Sequence, residues 1–407
     1  MILTITLNTS IDKAYVVENF KVGDVVRVKE AVYTAGGKGL NVTKVISTLG
    51  EKVLATGFIG GFSGGFIQHE LDKMNIPHEF VKIQGESRSC VNIVDKATHV
   101  HTELLEPGPL LTPQNVERFI SLYEILLQRA NVVTMSGSAP RGVDKDIYKT
   151  LITIAKNNGK KVILDTSGDY LKEGMKAFPT MIKPNLSEAE NLLGRKITSI
   201  EDAARAAVEL LASVVRIQKE SVITMETSEE IIPLTIKNIQ QKSATKKTIE
   251  LSRELSLLKT DITKKRSSDI KAEREKRVQI FNSLSHKVQG QEEIFHGTWA
   301  SIPLTEPWIE YATISLGKNG VVLADANTGK VYWAKPPEIA PVNTVGCGDA
   351  MVAGFAVALS RSYDLESMLR LAVAASAASA LSPETGGCRI EDIEIILKKV
   401  IIKSLIY

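Results

Sequence analysis

Through its first 212 residues the chain alternates short β-branched runs with helix-length amphipathic stretches, a rhythm that few architectures accept. Strand candidates are Ile2–Leu7, Val53–Phe58, Val132–Ser136 and Lys161–Asp165, with helices around Leu40–Leu49, Gly65–Met74, Asn115–Arg129 and Asp146–Asn157. Strands joined through single helices pair in parallel, and a parallel sheet is covered on both faces. An α/β fold with a mostly parallel sheet is expected. Lys13–Val32 and Ser89–Glu106 alternate like strands without helices between them. They predict a small antiparallel sheet standing off the main one.

The texture breaks after the helix expected at Glu201–Ala212. From Ser213 to Ile280 the chain has no glycine, phenylalanine, tyrosine or tryptophan. Leu251, Leu255, Leu258 and Ile262 recur at helical spacing among charged residues, which predicts a charged, helical or partly disordered segment with a narrow apolar stripe. Beyond Trp308 the earlier rhythm returns with the strand Ile309–Leu316, the turn Gly317–Gly320 and the strand Val321–Ala324. Residues 213–308 therefore read as an insertion in one domain made of 1–212 and 309–407. Lys242–Arg277 is net basic, but acidic residues dilute it and no aromatics interleave, so nucleic-acid binding is not expected.

Composition excludes several classes. Apolar residues make up 43% and charged residues 24%, with a net charge of +3, as in a soluble globular protein. Three distant cysteines make no disulfide framework and have no metal-ligand spacing. The six histidines form no HExxH motif. The apolar start lacks a basic leader region and reads as a first buried strand, and no apolar run reaches membrane-spanning length. A cytoplasmic protein is expected.

Four motifs carry chemistry. In Asn343-Thr344-Val345-Gly346-Cys347-Gly348-Asp349-Ala350, two glycines and an acid precede a small-residue apolar run. Glycines let backbone N–H groups face an anion at a helix N-terminus, where the helix dipole also favours it. A carboxylate beside such a hole suits phosphoryl transfer to an alcohol, in which Asp349 takes a proton while the hole holds a phosphate. In Ala35-Gly36-Gly37-Lys38-Gly39-Leu40-Asn41 the glycines allow close approach of a ligand, Lys38 offers a charge and Asn41 an amide. The same residues would also serve as a plain strand-to-helix turn. In Lys183-Pro184-Asn185-Leu186-Ser187-Glu188, Asn185 and Glu188 form either a capping box or part of a water-mediated Mg²⁺ shell. Ser315-Leu316-Gly317-Lys318-Asn319-Gly320 reads as a hairpin turn or a nucleotide contact.

The order and spacing of GGKGLN, NxxE and NTVGCGDAMVAGF resemble the PfkB-type carbohydrate kinases of the ribokinase superfamily. The resemblance implies a ribokinase-like fold with a β lid, and ATP as co-substrate with Mg²⁺. It makes Asp349 the catalytic base and Gly346, Cys347 and Gly348 the anion hole, with cysteine where alanine is commoner. Asn185 and Glu188 would organise the metal, and Lys183, Asn185, Ser315, Gly317, Lys318, Gly320 and Gly348 would contact ATP. Thr6-Leu7-Asn8-Thr9-Ser10-Ile11-Asp12 resembles the branch of 1-phosphofructokinases and tagatose-6-phosphate kinases. That likeness places Asp12, Gly36, Gly37, Lys38, Asn41, Arg88, Asn92, Ser136 and Gly137 on the substrate side, with Arg88 on a sugar phosphate. It implies phosphorylation of fructose 1-phosphate to fructose 1,6-bisphosphate, with tagatose-6-phosphate kinase as the alternative. A non-catalytic sugar-phosphate-binding regulator is the alternative of another class. The lid, about residues 12–33 and 88–107, often doubles as a dimer clasp in that family, so a homodimer is expected.

Overall fold

The computed structural model describes residues 1–98, 100–226 and 308–405. Its strands are β1 (Ile2–Thr6), β2 (Ser10–Val17), β3 (Glu30–Gly36), β4 (Val53–Gly60), β5 (His78–Ile83), β6 (Arg88–Asp95) and β7 (Val100–Leu105). They continue with β8 (Val132–Ser136), β9 (Lys161–Asp165), β10 (Met181–Ile182), β11 (Tyr311–Ser315), β12 (Val321–Asp325), β13 (Lys330–Lys335) and β14 (Ile401–Leu405). One ten-stranded sheet has the order β14-β13-β12-β11-β10-β9-β8-β1-β4-β5. Every pairing from β11 to β5 is parallel, and β11 to β14 are antiparallel.

Alternating side chains explain why both faces are covered. Leu3 and Ile5 enter one core while Ile2 enters the other; Val133 and Met135 oppose Val132, and Val162 and Leu164 oppose Ile163. Helices Pro113–Leu127, Ile147–Asn157 and Gly168–Met175 pack on the first face. Helices Lys38–Thr48, Cys347–Ser360 and Leu365–Ala380 pack on the second. The last two lie close because their contact residues are small. A Cβ on Gly354 would stand 2.5 Å from the Ala372 Cα, so only glycine fits there.

The sheet grows outward in two directions, β1 to β4 to β5 and β8 to β9 to β10 to β11. Between β1 and β8 lies the switch point, beyond whose carboxyl ends an open α/β sheet opens a crevice.

The second sheet, β3-β2-β6-β7, forms the lid, but it is not wholly antiparallel. β2 pairs with β3, and β6 with β7, antiparallel, whereas β2 and β6 run parallel. The reason is inheritance of direction: β2 follows β1 and β6 follows β5, and both parent strands point the same way. Asp95 ties the lid's far turns together. Burial works against its charge, but bonds from Thr98 Oγ1 and the N–H groups of Phe20, Ala97 and Asn19 outweigh that and hold its carboxyl down at about 2.

The helix expected to end at Ala212 instead spans Ile200–Glu226, since no glycine or proline interrupts that stretch. The chain returns at the amino end of β11, the sheet edge opposite the crevice. The apolar stripe Leu251–Ile262 and the basic run Lys242–Arg277 lie outside the described residues.

Candidate active site

A cleft of about 1260 Å³ opens between the carboxyl ends of the main-sheet strands and the lid. That exceeds the usual volume for one small ligand and leaves room for two. Its floor is the first turn of the Cys347–Ser360 helix. Gly346 caps it in the left-handed region, at φ 89°. A Cβ on Gly346 would lie 2.8 Å from the Gly386 nitrogen, so the turn has no space for a side chain. Asp349, on the same turn, is 5% exposed, and its Oδ2 accepts a 3.0 Å bond from Asn41 Nδ2. The two glycine motifs, over three hundred residues apart in sequence, thus meet at one carboxylate.

Electrostatics poise that carboxylate. Burial pushes Asp349 up to about 7, with Asp165 adding to the rise and Lys38, Asn41 and Lys183 opposing it. A group near 7 ionises at neutral pH and remains basic enough to accept a proton. Lys38 is held well above the usual lysine range, first by Asp165 and then by Asp349 and Glu188, so it keeps its charge. Burial raises the Cys347 thiol to about 11, and Asp349 adds to this; a neutral thiol puts no negative charge on the glycine turn.

Most residues singled out in the sequence line this one cleft. Asp12, Arg88 and Asn92 reach it from the lid, Gly37, Lys38 and Asn41 from the first glycine turn, and Gly137 from the end of β8. Lys183, Asn185, Glu188, Ser315, Gly317, Lys318 and Gly320 line its other end, with Gly346, Cys347, Gly348 and Asp349 between. Gly36 and Ser136 do not line it. Gly36 lies behind Asp12, whose carboxylate a Cβ would meet at 2.0 Å, and Ser136 is buried at the end of β8.

The Asn185–Glu188 pair is a complete capping box. Asn185 Oδ1 accepts from Glu188 N at 2.9 Å, and Glu188 Oε2 accepts from Asn185 N at 2.8 Å. Both readings of this motif stay compatible, because Glu188 Oε1 is not used in the cap and both residues face the cleft. Among the described residues no group of three or more His, Cys, Asp or Glu could hold a metal. This donor set fits a cation held mainly by substrate oxygens and water, with protein carboxylates outside. Ser315–Gly320 is likewise both things: a short 3₁₀ turn, Gly317–Asn319, joining antiparallel β11 and β12, and a wall of the cleft.

Asp165 was missed. It is 1% exposed at the end of β9, and its Oδ1 lies 3.0 Å from Lys183 Nζ. A carboxylate in Leu164-Asp165-Thr166-Ser167 at the end of a parallel strand was the available signal.

The model of the pfkB family of carbohydrate kinases matches residues 5–231 and 304–392. The chain belongs to that family. Solved structures agree with the kinase's fold. Phosphofructokinase-2 from Escherichia coli, in complex with substrates and products, superposes with a TM-score of 0.69 at 22% identity, covering 98% of each chain. A Thermotoga maritima protein described as a possible 1-phosphofructokinase gives 0.70 at 21%, covering 100% of this kinase and 99% of that protein. At such identities the likeness carries the ribokinase-like fold, and the family match carries the class of enzyme. Among the kinase's described residues no helix is long and apolar enough to cross a membrane.

Proposed function

We propose that this carbohydrate kinase transfers the γ-phosphoryl of ATP to a hexose phosphate, most simply fructose 1-phosphate to give fructose 1,6-bisphosphate. The observation that carries the reading is Arg88. It pairs with Ser10 where β2 and β6 run together and faces the cleft; its Nη1 donates to Glu106 O at 3.1 Å, and its Nε is buried with no hydrogen-bond partner. A buried, unsatisfied guanidinium donor is costly unless an anion completes it, and its planar fork matches a phosphate. Asp12, Asn41 and Lys38 then face the sugar hydroxyls, with Asn92, Ser136 and Gly137 supporting them. Asp349 takes the hydroxyl proton as that oxygen attacks the γ-phosphorus, and ADP leaves. The N–H groups of Gly346, Cys347 and Gly348 hold the phosphoryl oxygens. Lys183 and the Ser315–Gly320 turn contact ATP, whose phosphates Mg²⁺ would neutralise when bound beside Asn185 and Glu188.

One coupled assay tests the acceptor: ADP release with fructose 1-phosphate, fructose 6-phosphate, tagatose 6-phosphate and free fructose. Fructose 1-phosphate should give the highest kcat/KM. A preference for tagatose 6-phosphate favours that alternative, and a preference for free fructose removes Arg88 from phosphate recognition. The base assignment also fixes a pH limb. Asp349 must be ionised to accept a proton, so kcat/KM should rise with pH and level off above about 7. Below that it should fall about tenfold per pH unit. A flat profile between pH 5.5 and 7.5 would contradict the role.

Residues 213–308 we take as an insertion that leaves the chemistry alone. The family match omits 232–303, and the chain re-enters at the sheet edge away from Asp349. Lengthening a connection from about 4 to about 100 residues costs roughly 3 kcal/mol, less than the stability of an ordinary domain. Replacing 213–308 with a short Gly/Ser linker should keep kcat within about threefold. A folded deletion protein without turnover would refute this. Tyr33, Val100 and Leu104, exposed on the lid, support a homodimer through it, and three free cysteines suit the cytoplasm.

A further inference from the structure

Lys44 carries an unusual arrangement. It lies on the Lys38–Thr48 helix, three residues beyond Asn41, and is only 9% exposed. Its ammonium donates to two backbone carbonyls, Thr385 O at 2.7 Å and Ala35 O at 3.2 Å. Asp12, Glu384 and Asp349 act on it only from farther away. Burying an ammonium between carbonyls is expensive, and a methionine, one atom shorter, would pack there without that desolvation cost.

The two carbonyls belong to the two turns that must be in register. Ala35 leads into Gly36-Gly37, and Thr385 belongs to a loop that presses on the anion turn. Gly346 has no room for a Cβ because the Gly386 nitrogen is 2.8 Å away, and Gly386 in turn abuts Asn41, the partner of Asp349. Asn343 ties the same loop from the other side, donating to Pro383 O and Thr385 Oγ1. The loop therefore sits as a wedge between the two glycine turns, and Lys44 is the only charged group bonded to both it and Ala35 among the described residues.

We propose that Lys44 is a positioning residue: through Thr385 and Ala35 it sets the anion turn, with Asp349 on it, at the distance from the Gly36–Asn41 turn that phosphoryl transfer requires. Ground-state ATP binding draws on many other contacts, so loss of Lys44 acts on kcat. Displacing a transition-state contact by an ångström costs about 100-fold.

The inference rests on phosphoryl transfer at this site but not on the identity of the sugar. The test is Lys44→Met beside Lys44→Arg, in the full chain, with kcat from ADP release and ATP affinity from calorimetry. Lys44→Met should lose about 100-fold in kcat while its Kd for ATP stays within about threefold. Lys44→Arg, which keeps charge and donors, should recover most of the loss. Equal kcat in Lys44→Met and wild type overturns the proposal. So does a loss in kcat that Lys44→Arg does not relieve, or one matched by weakened ATP binding. If Lys44→Met does not fold, Lys44→Gln takes its place and is read against the same outcomes, since its shorter amide cannot span both carbonyls. If no sugar in the panel is an acceptor, the substrate reading fails separately, and the Lys44 variants are read by their slow ATP hydrolysis.

Discussion

Replacing Asp349 with asparagine is expected to lower turnover by about 10³-fold and, at the same time, to make the protein more stable. The first effect follows from loss of the proposed base, with sugar-phosphate affinity expected near normal because Asn41 and Lys38, proposed to face the sugar, remain in place. The second follows from burial. An aspartate raised from its ordinary 3.8 to about 7 costs the folded state on the order of 4 kcal/mol once ionised. The sign is fixed by linkage: a raised carboxyl favours folding fully below 3.8, and this is lost as pH rises through about 7. The amide of Asp349→Asn cannot ionise, so the melting temperature of the variant should exceed that of wild type by more at pH 8 than at pH 5. Equal melting temperatures at both values would mean the carboxylate is better solvated than its 5% exposure indicates. Residual turnover near wild type would remove Asp349 as the base.

Gly346→Ala should be nearly as damaging, for a backbone reason. A left-handed φ of 89° strains any side chain, and the new Cβ would meet the Gly386 nitrogen at 2.8 Å. The turn must shift, and its N–H groups move off the transferring phosphoryl. Loss of one such donor costs about 10²–10³ in kcat. Gly348→Ala is the control for stability. Its Cβ would meet only Lys183 Nζ, at an ordinary 3.6 Å, so that variant should melt close to wild type. Wild-type kcat in Gly346→Ala would show that the anion turn tolerates displacement, which the proposed mechanism does not allow.

Regular elements were legible wherever local pattern decides structure. Val132–Ser136 and Lys161–Asp165 run as expected because they are apolar on both faces. The Gly61–Lys73 helix starts earlier than Gly65, and the cause is tertiary: the distant Glu86 carboxylate accepts from the N–H groups of Phe62 and Ser63 and caps a stretch that reads as loop. The parallel β2–β6 pairing was illegible for a similar reason, since strand direction comes from β1 and β5, not from the lid's own residues. Motifs marked the turns of the site but not the buried polar residues behind them. Asp165 and Lys44 look like an ordinary strand end and an ordinary helix lysine until the fold brings Lys183, Ala35 and Thr385 to them.

The lid's two central strands are prolongations of β1 and β5, and this bears on how the cleft can close. Leu7, Asn8 and Thr9, which join β1 to β2, are all buried, and Thr9 Oγ1 donates to Phe58 O at 2.7 Å. On the other side Ser87 Oγ accepts from Gly60 N at 3.0 Å. The roof is thus a cantilever anchored in the floor rather than a door on a free hinge. If Asp12 and Arg88 hold the substrate as proposed, the load passes into β1, inside the main sheet, and β5, at its edge, so news of an occupied sugar site can travel along β1 itself, toward Leu3 and the centre of the core.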